Sequence, residues 1–427
     1  MRRDNTLVVM VVMLLAFVAP ARADEVTDWN RIMFQAALVP PATSPLVMGR
    51  VAAIVQAAVF DAVNGIERRF TPIHVEPAAP RGASRRAAAV QAAYGTLVKL
   101  YPGQASTFAT ERAASLDAIA NDAAAENSES IAQGIEWGQT VADGIWAWRS
   151  TDGSTPAPPP FTGGLAVGEW RPTPPGFLPG AGPQFAYMTP WVIDSPSEYR
   201  PAGPPALTSS LYTQVFDETK TMGSVASLTR TADETLYSLF WNASTASYYW
   251  DQIALSVGAD RHVTFSEEAR LLALVNLAMA DAAIGCWEAK YHYVFWRPVT
   301  AIPLAGTDGN PNTIADPSWM PLFATPGHPE YPSGHSCVSG AAARVLSAYF
   351  DDATSFSVTS DVMPGVTRQF PNFSMAAEEI KNARVFAGIH FRTACDDGQT
   401  LGIAVADHVL SHALLPVHGN ETGQIQR

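Results

Sequence analysis

Three short stretches of this chain carry side chains whose types and spacing could grip one tetrahedral oxyanion. In KYHYVFWRP, Lys290 and Arg297 stand seven residues apart. On a continuous helix that is two turns, which puts both cations near one face, about 10 Å apart along the axis. Trp287, Tyr291, Tyr293, Phe295 and Trp296 surround them, and cations in aromatic company are usually desolvated and paired. HPEYPSGHS, 328–336, immediately precedes an apolar helix beginning near Cys337. Small residues ahead of a helix expose unpaired amides, so the Ser333 hydroxyl and Gly334 amide form an oxyanion site by dipole and hydrogen bonding together. The plainer alternative is a Pro-Ser-Gly turn with Ser336 as a helix cap. In ARVFAGIHFRTACDDG, Arg384 comes six residues before His390. Six helical residues turn through about 240°, so the pair meets only where the backbone bends, and Gly388 leaves room for that. Arg384 offers a planar fork for bidentate capture, which lysine cannot copy. A desolvated anion of charge two or three needs several fixed cations, and Lys290, Arg297 and Arg384 supply three. His390 must be neutral to act as ligand or nucleophile, whereas His335, beside the anion, can shift its protonation near neutral pH.

Mostly helical elements are expected to position these groups. Ala-rich stretches with apolar residues three and four apart predict amphipathic helices within 29–63 and 83–148. From about 150 to 205 the composition turns to Pro, Gly and aromatics (TPAPPPFTGG, RPTPPGFLPGAGP). This segment cannot continue a helix and predicts a long ordered loop or lid, either a surface wrap or a source of substrate contacts. Helical pattern resumes over 207–257 and 265–296, then again over 336–350, 375–389 and 398–414, after a Pro/Gly/Asp-rich loop at 303–331. No β region longer than a short hairpin is expected. The fold class is therefore all-α, a helical bundle with long Pro/Gly-rich loops. It is read as an N-terminal helical half with the Pro-rich loop, 24–205, and a C-terminal half carrying the site, 206–427.

The first 23 residues have a basic start, an apolar run over 7–19 and Ala21-Arg22-Ala23 as a cleavage site, the pattern of a secretory signal peptide. No later segment reads as a membrane span, so a secreted or periplasmic protein is expected. Cleavage would remove Arg2, Arg3, Arg22 and Asp4, leaving 24 basic against 39 acidic residues, net −15. Such a surface disfavours nucleic acid and anionic membranes. Three cysteines are too few for a disulfide framework. A Cys337–Cys395 bridge is a possible pairing because both sit just after site histidines, with Cys286 left as a buried thiol. His408 and His412, four apart on the last helix, have no third ligand in phase and are read as surface residues.

Together the three stretches resemble the superfamily that joins vanadium-dependent haloperoxidases and type-2 phosphatidic acid phosphatases, whose pattern is Lys-x6-Arg-Pro, Pro-Ser-Gly-His and Ser-Arg-x5-His-x3-Asp. The resemblance covers about the last third of the chain closely and implies the haloperoxidase-type helical-bundle fold. It implies that Lys290, Arg297, Ser333, the Gly334 amide and Arg384 bind the oxygens of vanadate or phosphate. His390 would bond to vanadium or attack phosphorus, and His335 would be the acid/base. Two positions depart from the pattern: Ala383 replaces its Ser, and Ala394 stands where its Asp would orient the histidine ring. Asp396, Asp397 or the disulfide are candidates to take over that task. As a haloperoxidase the protein would hold vanadate on His390, activate hydrogen peroxide with Lys290 polarising it, and oxidise halide to hypohalous acid. As a phosphatase, without a cofactor, it would hydrolyse a phosphate ester through a phosphohistidine at His390. Trp287 and His328 fall where haloperoxidases keep pocket residues, and histidine at the latter resembles bromoperoxidases, so the peroxidase reading with bromide leads. His328 as a loop residue stabilising its own turn is the plainer alternative. A non-catalytic oxyanion binder would leave His335 without a task.

Overall fold

Helix starts along this chain are set by side chains that accept the first free amides. In the computed structural model, residues 24–122 and 126–417 are described, and the leader read at 1–23 lies outside them. Asp24 caps α1 (Glu25–Leu38), and Ser44, followed by Pro45, opens α2 (Pro45–Glu67). Ser84 caps α3 (Arg85–Leu100); α4 (Ala105–Ala120) and α5 (Ser128–Arg149) complete the N-terminal group. After the Pro-rich segment come α6 (Ser210–Met222), α7 (Ala232–Ala243), α8 (Ala246–Asp260) and α9 (Phe265–Tyr293), with capping boxes at Thr231 and Thr264. A single turn, α10 (Pro298–Ala301), precedes the loop that leads to α11 (Gly334–Phe350). α12 (Phe373–Phe386) and α13 (Arg392–His412) close the fold. Among the described residues the paired strands are one hairpin, Phe356–Thr359 against Thr367–Phe370, antiparallel with Phe356 opposite Phe370. The all-α reading holds.

α9 is mostly apolar and buried along its length because it runs through the middle of the protein, packed against α2, α11 and α13. It and α2 are long and apolar enough to cross a membrane, which corrects the sequence expectation that no later segment would be. In both helices that apolar surface is mostly buried inside the protein instead, completely so in α9. α11 and α13 lie unusually close, through small residues. A Cβ on Gly402 would sit 2.0 Å from the Cys337 carbonyl oxygen, so any side chain there would push the helices apart. This contact brings the start of α11 against the start of α13.

The Pro-rich segment has little regular structure apart from one 3-10 turn at Pro183–Tyr187, and α9 holds it in place. The buried Asp281 carboxylate accepts the amides of Trp191, Val192 and Ile193 at 2.7, 2.8 and 3.1 Å. Arg149 donates to the carbonyls of Thr189 and Pro190. Trp287 Nε1 and the Tyr291 hydroxyl both donate to the Ala181 carbonyl. The loop is thus an ordered wall beside the predicted site.

Candidate active site

Lys290 and Arg297 do not share a helix face. α9 ends at Tyr293, and Val294 takes a left-handed conformation, φ 50°, uncommon for a β-branched residue. The turn is held from the Pro-rich loop: Trp170 N–H donates to the Val294 carbonyl at 2.7 Å, and Trp296 N–H to that of Gly168 at 2.9 Å. Pro298 then forces Arg297 into extended backbone, ψ 154°. The two cations approach the site from opposite sides of a corner. Both are fully buried. Lys290 Nζ donates to the carbonyls of Pro329, Glu330 and Pro332, so it ties the HPEYP loop to α9 and lends the site its charge. Arg297 donates through Nε to the His328 carbonyl at 2.9 Å, through Nη1 to the Ile389 carbonyl at 2.7 Å, and through Nη2 to His328 Nδ1 at 2.9 Å.

Ser333, rather than Ser336, caps α11, its hydroxyl accepting from the Ser336 amide, and Gly334 is the first helical residue. Ser333 N–H donates to the Ala394 carbonyl at 2.8 Å, so the turn is fixed to the start of α13. A Cβ on Gly334 would meet the Trp287 ring at 3.1 Å. His335 lies near the Trp241 backbone, and its Nε2 is buried without a partner.

The backbone bend required between Arg384 and His390 exists. α12 stops at Phe386, and Gly388 takes φ 75° with its Cα packed on Gly223. A Cβ there would lie 2.4 Å from the Gly223 carbonyl oxygen and 2.9 Å from the Trp319 ring. Gly388→Ala is expected to cost roughly 2–4 kcal/mol, combining an unfavourable φ with a backbone clash; urea unfolding measures it, and a loss below 1 kcal/mol would contradict the packing described.

His390 is oriented by Glu330, which the sequence reading did not single out. Its Nδ1 lies 2.9 Å from Glu330 Oε1, and the same oxygen accepts the Phe391 amide at 2.9 Å. Arg297 Nη1 lies beside the ring, 3.0 Å from Nε2 and 3.5 Å from Nδ1. A carboxylate only accepts and a guanidinium only donates, so the proton sits on Nδ1 and the lone pair on Nε2. This corrects the expectation that Asp396, Asp397 or a disulfide would do the task. Asp397 accepts the Tyr331 hydroxyl at 2.6 Å, and Asp396 pairs with Lys381. All three cysteines are free. Cys286 donates its S–H to the Pro332 carbonyl at 3.7 Å, and Cys337 lies beside Cys286 of α9; no Cys337–Cys395 bridge forms. A glutamate five residues before a helical histidine was the available signal, but sequence spacing does not connect it to His390.

Trp287, His328, Gly334, His335, Arg384 and His390 line one cavity of about 460 Å³. Lys290, Arg297 and Ser333 form the fully buried layer behind it. Arg384 bonds to Asn242 Oδ1 at 3.2 Å, and its Nε is buried without a partner. Burial, and then the charges of Arg384, Lys290 and Arg297, holds His335 well below its usual range. Burial and the same cations do so for His390, and with Lys290 and Arg297 for His328. Burial also lowers Lys290 to about 8, Arg297 to about 10 and Arg384 to about 9, and raises Glu330 to about 7. An anion at this centre gains most while Lys290 is charged. Sulfate, whose own charge is constant here, should bind most tightly below pH 8 and lose up to about tenfold in affinity per pH unit above it. Calorimetric titration tests this, and a flat profile to pH 10 would remove Lys290 from the anion's field.

Among the described residues no three His, Cys, Asp or Glu side chains converge to hold a cation; His408 instead bonds to the Tyr199 hydroxyl at 2.8 Å. The donor set suits an oxyanion of a transition metal: one neutral imidazole with a directed lone pair, unpartnered N–H at Arg384, and cations behind. Vanadate fits these residues.

Comparison with known proteins agrees. Residues 270–419 match the model of the second helical-bundle domain of vanadium chloroperoxidase (VCPO). Vanadium chloroperoxidase of Curvularia inaequalis is 29% identical over 188 residues, which is 36% of this chain and only 30% of that protein. The first bacterial vanadium-dependent iodoperoxidase superposes with a TM-score of 0.78 at 26% identity, covering 92% of this chain and 98% of that one. A holo-type bacterial vanadium-dependent chloroperoxidase shares the fold, with a TM-score of 0.68 at 18% identity over 88% and 93% of the two chains. The ordered match of motifs, helical architecture and converging cations leads to one conclusion: the chain has the helical-bundle fold of the vanadium-dependent haloperoxidases, and its residues 270–419 correspond to their second helical-bundle domain.

Proposed function

We propose that the protein is a vanadium-dependent haloperoxidase that oxidises halide, with bromide the first candidate, to hypohalous acid using hydrogen peroxide. The observation that carries this reading is the His390 ring, bonded through Nδ1 to Glu330, which leaves the Nε2 lone pair, and lying in the field of the buried Arg297, Lys290 and Arg384. When bound, vanadate supplies a Lewis acid that activates peroxide without changing oxidation state. His390 would hold it, and Arg297 Nη1, released from Nε2, would donate to its oxygens. Arg384 and the Gly334 amide would add donors, while Ser333 and Lys290 stabilise the charge from behind. His335, whose Nε2 has no partner in the protein, would take a proton from incoming peroxide. The phosphatase alternative would use the same lone pair on phosphorus, but needs His335 protonated at the outset to assist the leaving oxygen. The pocket positions of Trp287 and His328 support the peroxidase. Export by the leader at 1–23 is part of the proposal.

The test is to strip the protein by chelation in phosphate-free buffer, restore orthovanadate, and assay bromide-dependent halogenation of a phenol dye with peroxide. Activity only after vanadate is expected. Turnover of p-nitrophenyl phosphate by untreated protein, inhibited by vanadate, would select the phosphatase.

A further inference from the structure

Peroxide, halide and an oxyanion are all small, yet the cavity beside His390 measures about 460 Å³, room for many waters at about 30 Å³ each. Away from the imidazoles and Arg384 its lining has no charged side chain. It is built from Leu46 on α2, Phe185 on the Pro-rich loop, Met279 and Ala283 on α9, and Val338 on α11. Phe185, Met279 and Ala283 are buried in the fold while facing this space. An apolar chamber of this size, with a few polar groups at defined points, is the usual form of an organic-ligand site. Uncharged polar side chains interrupt the apolar wall: Ser44, whose hydroxyl accepts the Val47 amide, Gln184, which donates to the Ser154 carbonyl, Asn242, which accepts from Arg384, Ser244, and, close to Gly49 of α2, the 4% exposed Ser247 of α8. The Ser247 hydroxyl makes no side-chain hydrogen bond to the protein among the described residues, so a ligand hydroxyl could satisfy it. Hydrated ions would gain nothing from such walls, whereas a flat apolar body next to Met279 and Phe185 gains contact with a soft thioether and a ring.

We infer that this chamber seats a neutral aromatic acceptor bearing one hydroxyl, a phenol or naphthol, with its ring between Phe185 and Met279 and its hydroxyl on Ser247. Halogen transfer then takes place inside the protein. Hypohalous acid formed at the oxyanion end meets the ring; a carbon–halogen bond forms as the oxygen–halogen bond breaks, and the displaced ring proton leaves with the hydroxide as water. The halogen is reduced and the carbon oxidised. The chemistry of this step rests on the haloperoxidase reading; the binding does not.

Two measurements separate them. The first is calorimetric binding of 2-naphthol to the purified protein without vanadate or peroxide. Saturable binding is expected, weakened at least about tenfold by Ala283→Phe, which fills the chamber. Ser247→Ala should weaken 2-naphthol about threefold to tenfold while leaving 2-methylnaphthalene unchanged. Thermal unfolding of each variant checks that it is folded. The second is competition between 2-naphthol and a bulky sulfonated phenol for halogenation by the vanadate-loaded protein, compared with reagent hypobromite. A ratio shifted toward naphthol, and restored to the reagent value by Ala283→Phe, supports the inference. Absence of naphthol binding, binding untouched by Ala283→Phe, or a wild-type ratio equal to that of reagent hypobromite overturns it. Naphthol binding without any halogenation sinks the peroxidase reading and leaves the seat for the acceptor standing.

Discussion

His390→Ala should lower bromide oxidation by roughly three orders of magnitude or more, the scale on which loss of a coordinating or nucleophilic group is felt. Anion binding should survive in weakened form. Arg297, Arg384 and Lys290 remain, and Arg297 keeps its bonds to Ile389 and His328. The variant is thus expected to bind sulfate within about tenfold of the wild type while failing to turn over. His390 is 2% exposed, so its removal leaves a hole beside the Glu330 carboxylate. His390→Gln, which refills most of the space and can still donate to Glu330, guards against confusing a folding defect with a chemical one. Turnover at wild-type rate in either variant would place the chemistry elsewhere.

Glu330→Ala is the second large effect expected. Partners that fix a ligating imidazole are typically worth about 10–100-fold in affinity or activity, and here one oxygen serves both His390 Nδ1 and the Phe391 amide. Removing it frees the ring to rotate and leaves a buried amide unsatisfied. Vanadate affinity, measured by equilibrium dialysis, should fall by about that factor. Glu330→Gln keeps an oxygen able to accept both N–H groups, so it should recover most of the affinity. Equal losses in the two variants would mean that the negative charge, rather than orientation, is what matters. No loss in either would show that the ring is held by packing alone.

These two residues also mark the line between what is legible in the sequence and what is not. The all-α class follows from helical periodicity and side-chain caps, both local properties. The site cations, the Pro-Ser-Gly-His turn and the bend at Gly388 were readable because each lies within a few residues of its neighbours. Spacing failed where a helix stopped. Lys290 and Arg297 would share a face on a continuous helix, but Val294 turns the chain because the Pro-rich loop, more than 120 residues earlier, supplies its hydrogen-bond partner. The disulfide expectation failed for a similar reason, since Cys337 faces a thiol on α9 that is distant in sequence.

Residue type and order determined that this chain carries two histidines and three cations of the kinds that suit an oxyanion. Tertiary packing alone decided which carboxylate would hold His390: sixty positions separate Glu330 from it. It alone also left an apolar chamber where α2, α8, α9, α11 and the Pro-rich loop fail to close completely. Hydrogen bonds and voids are set by distance in space, and a linear pattern carries that information only over the reach of one helix or one turn.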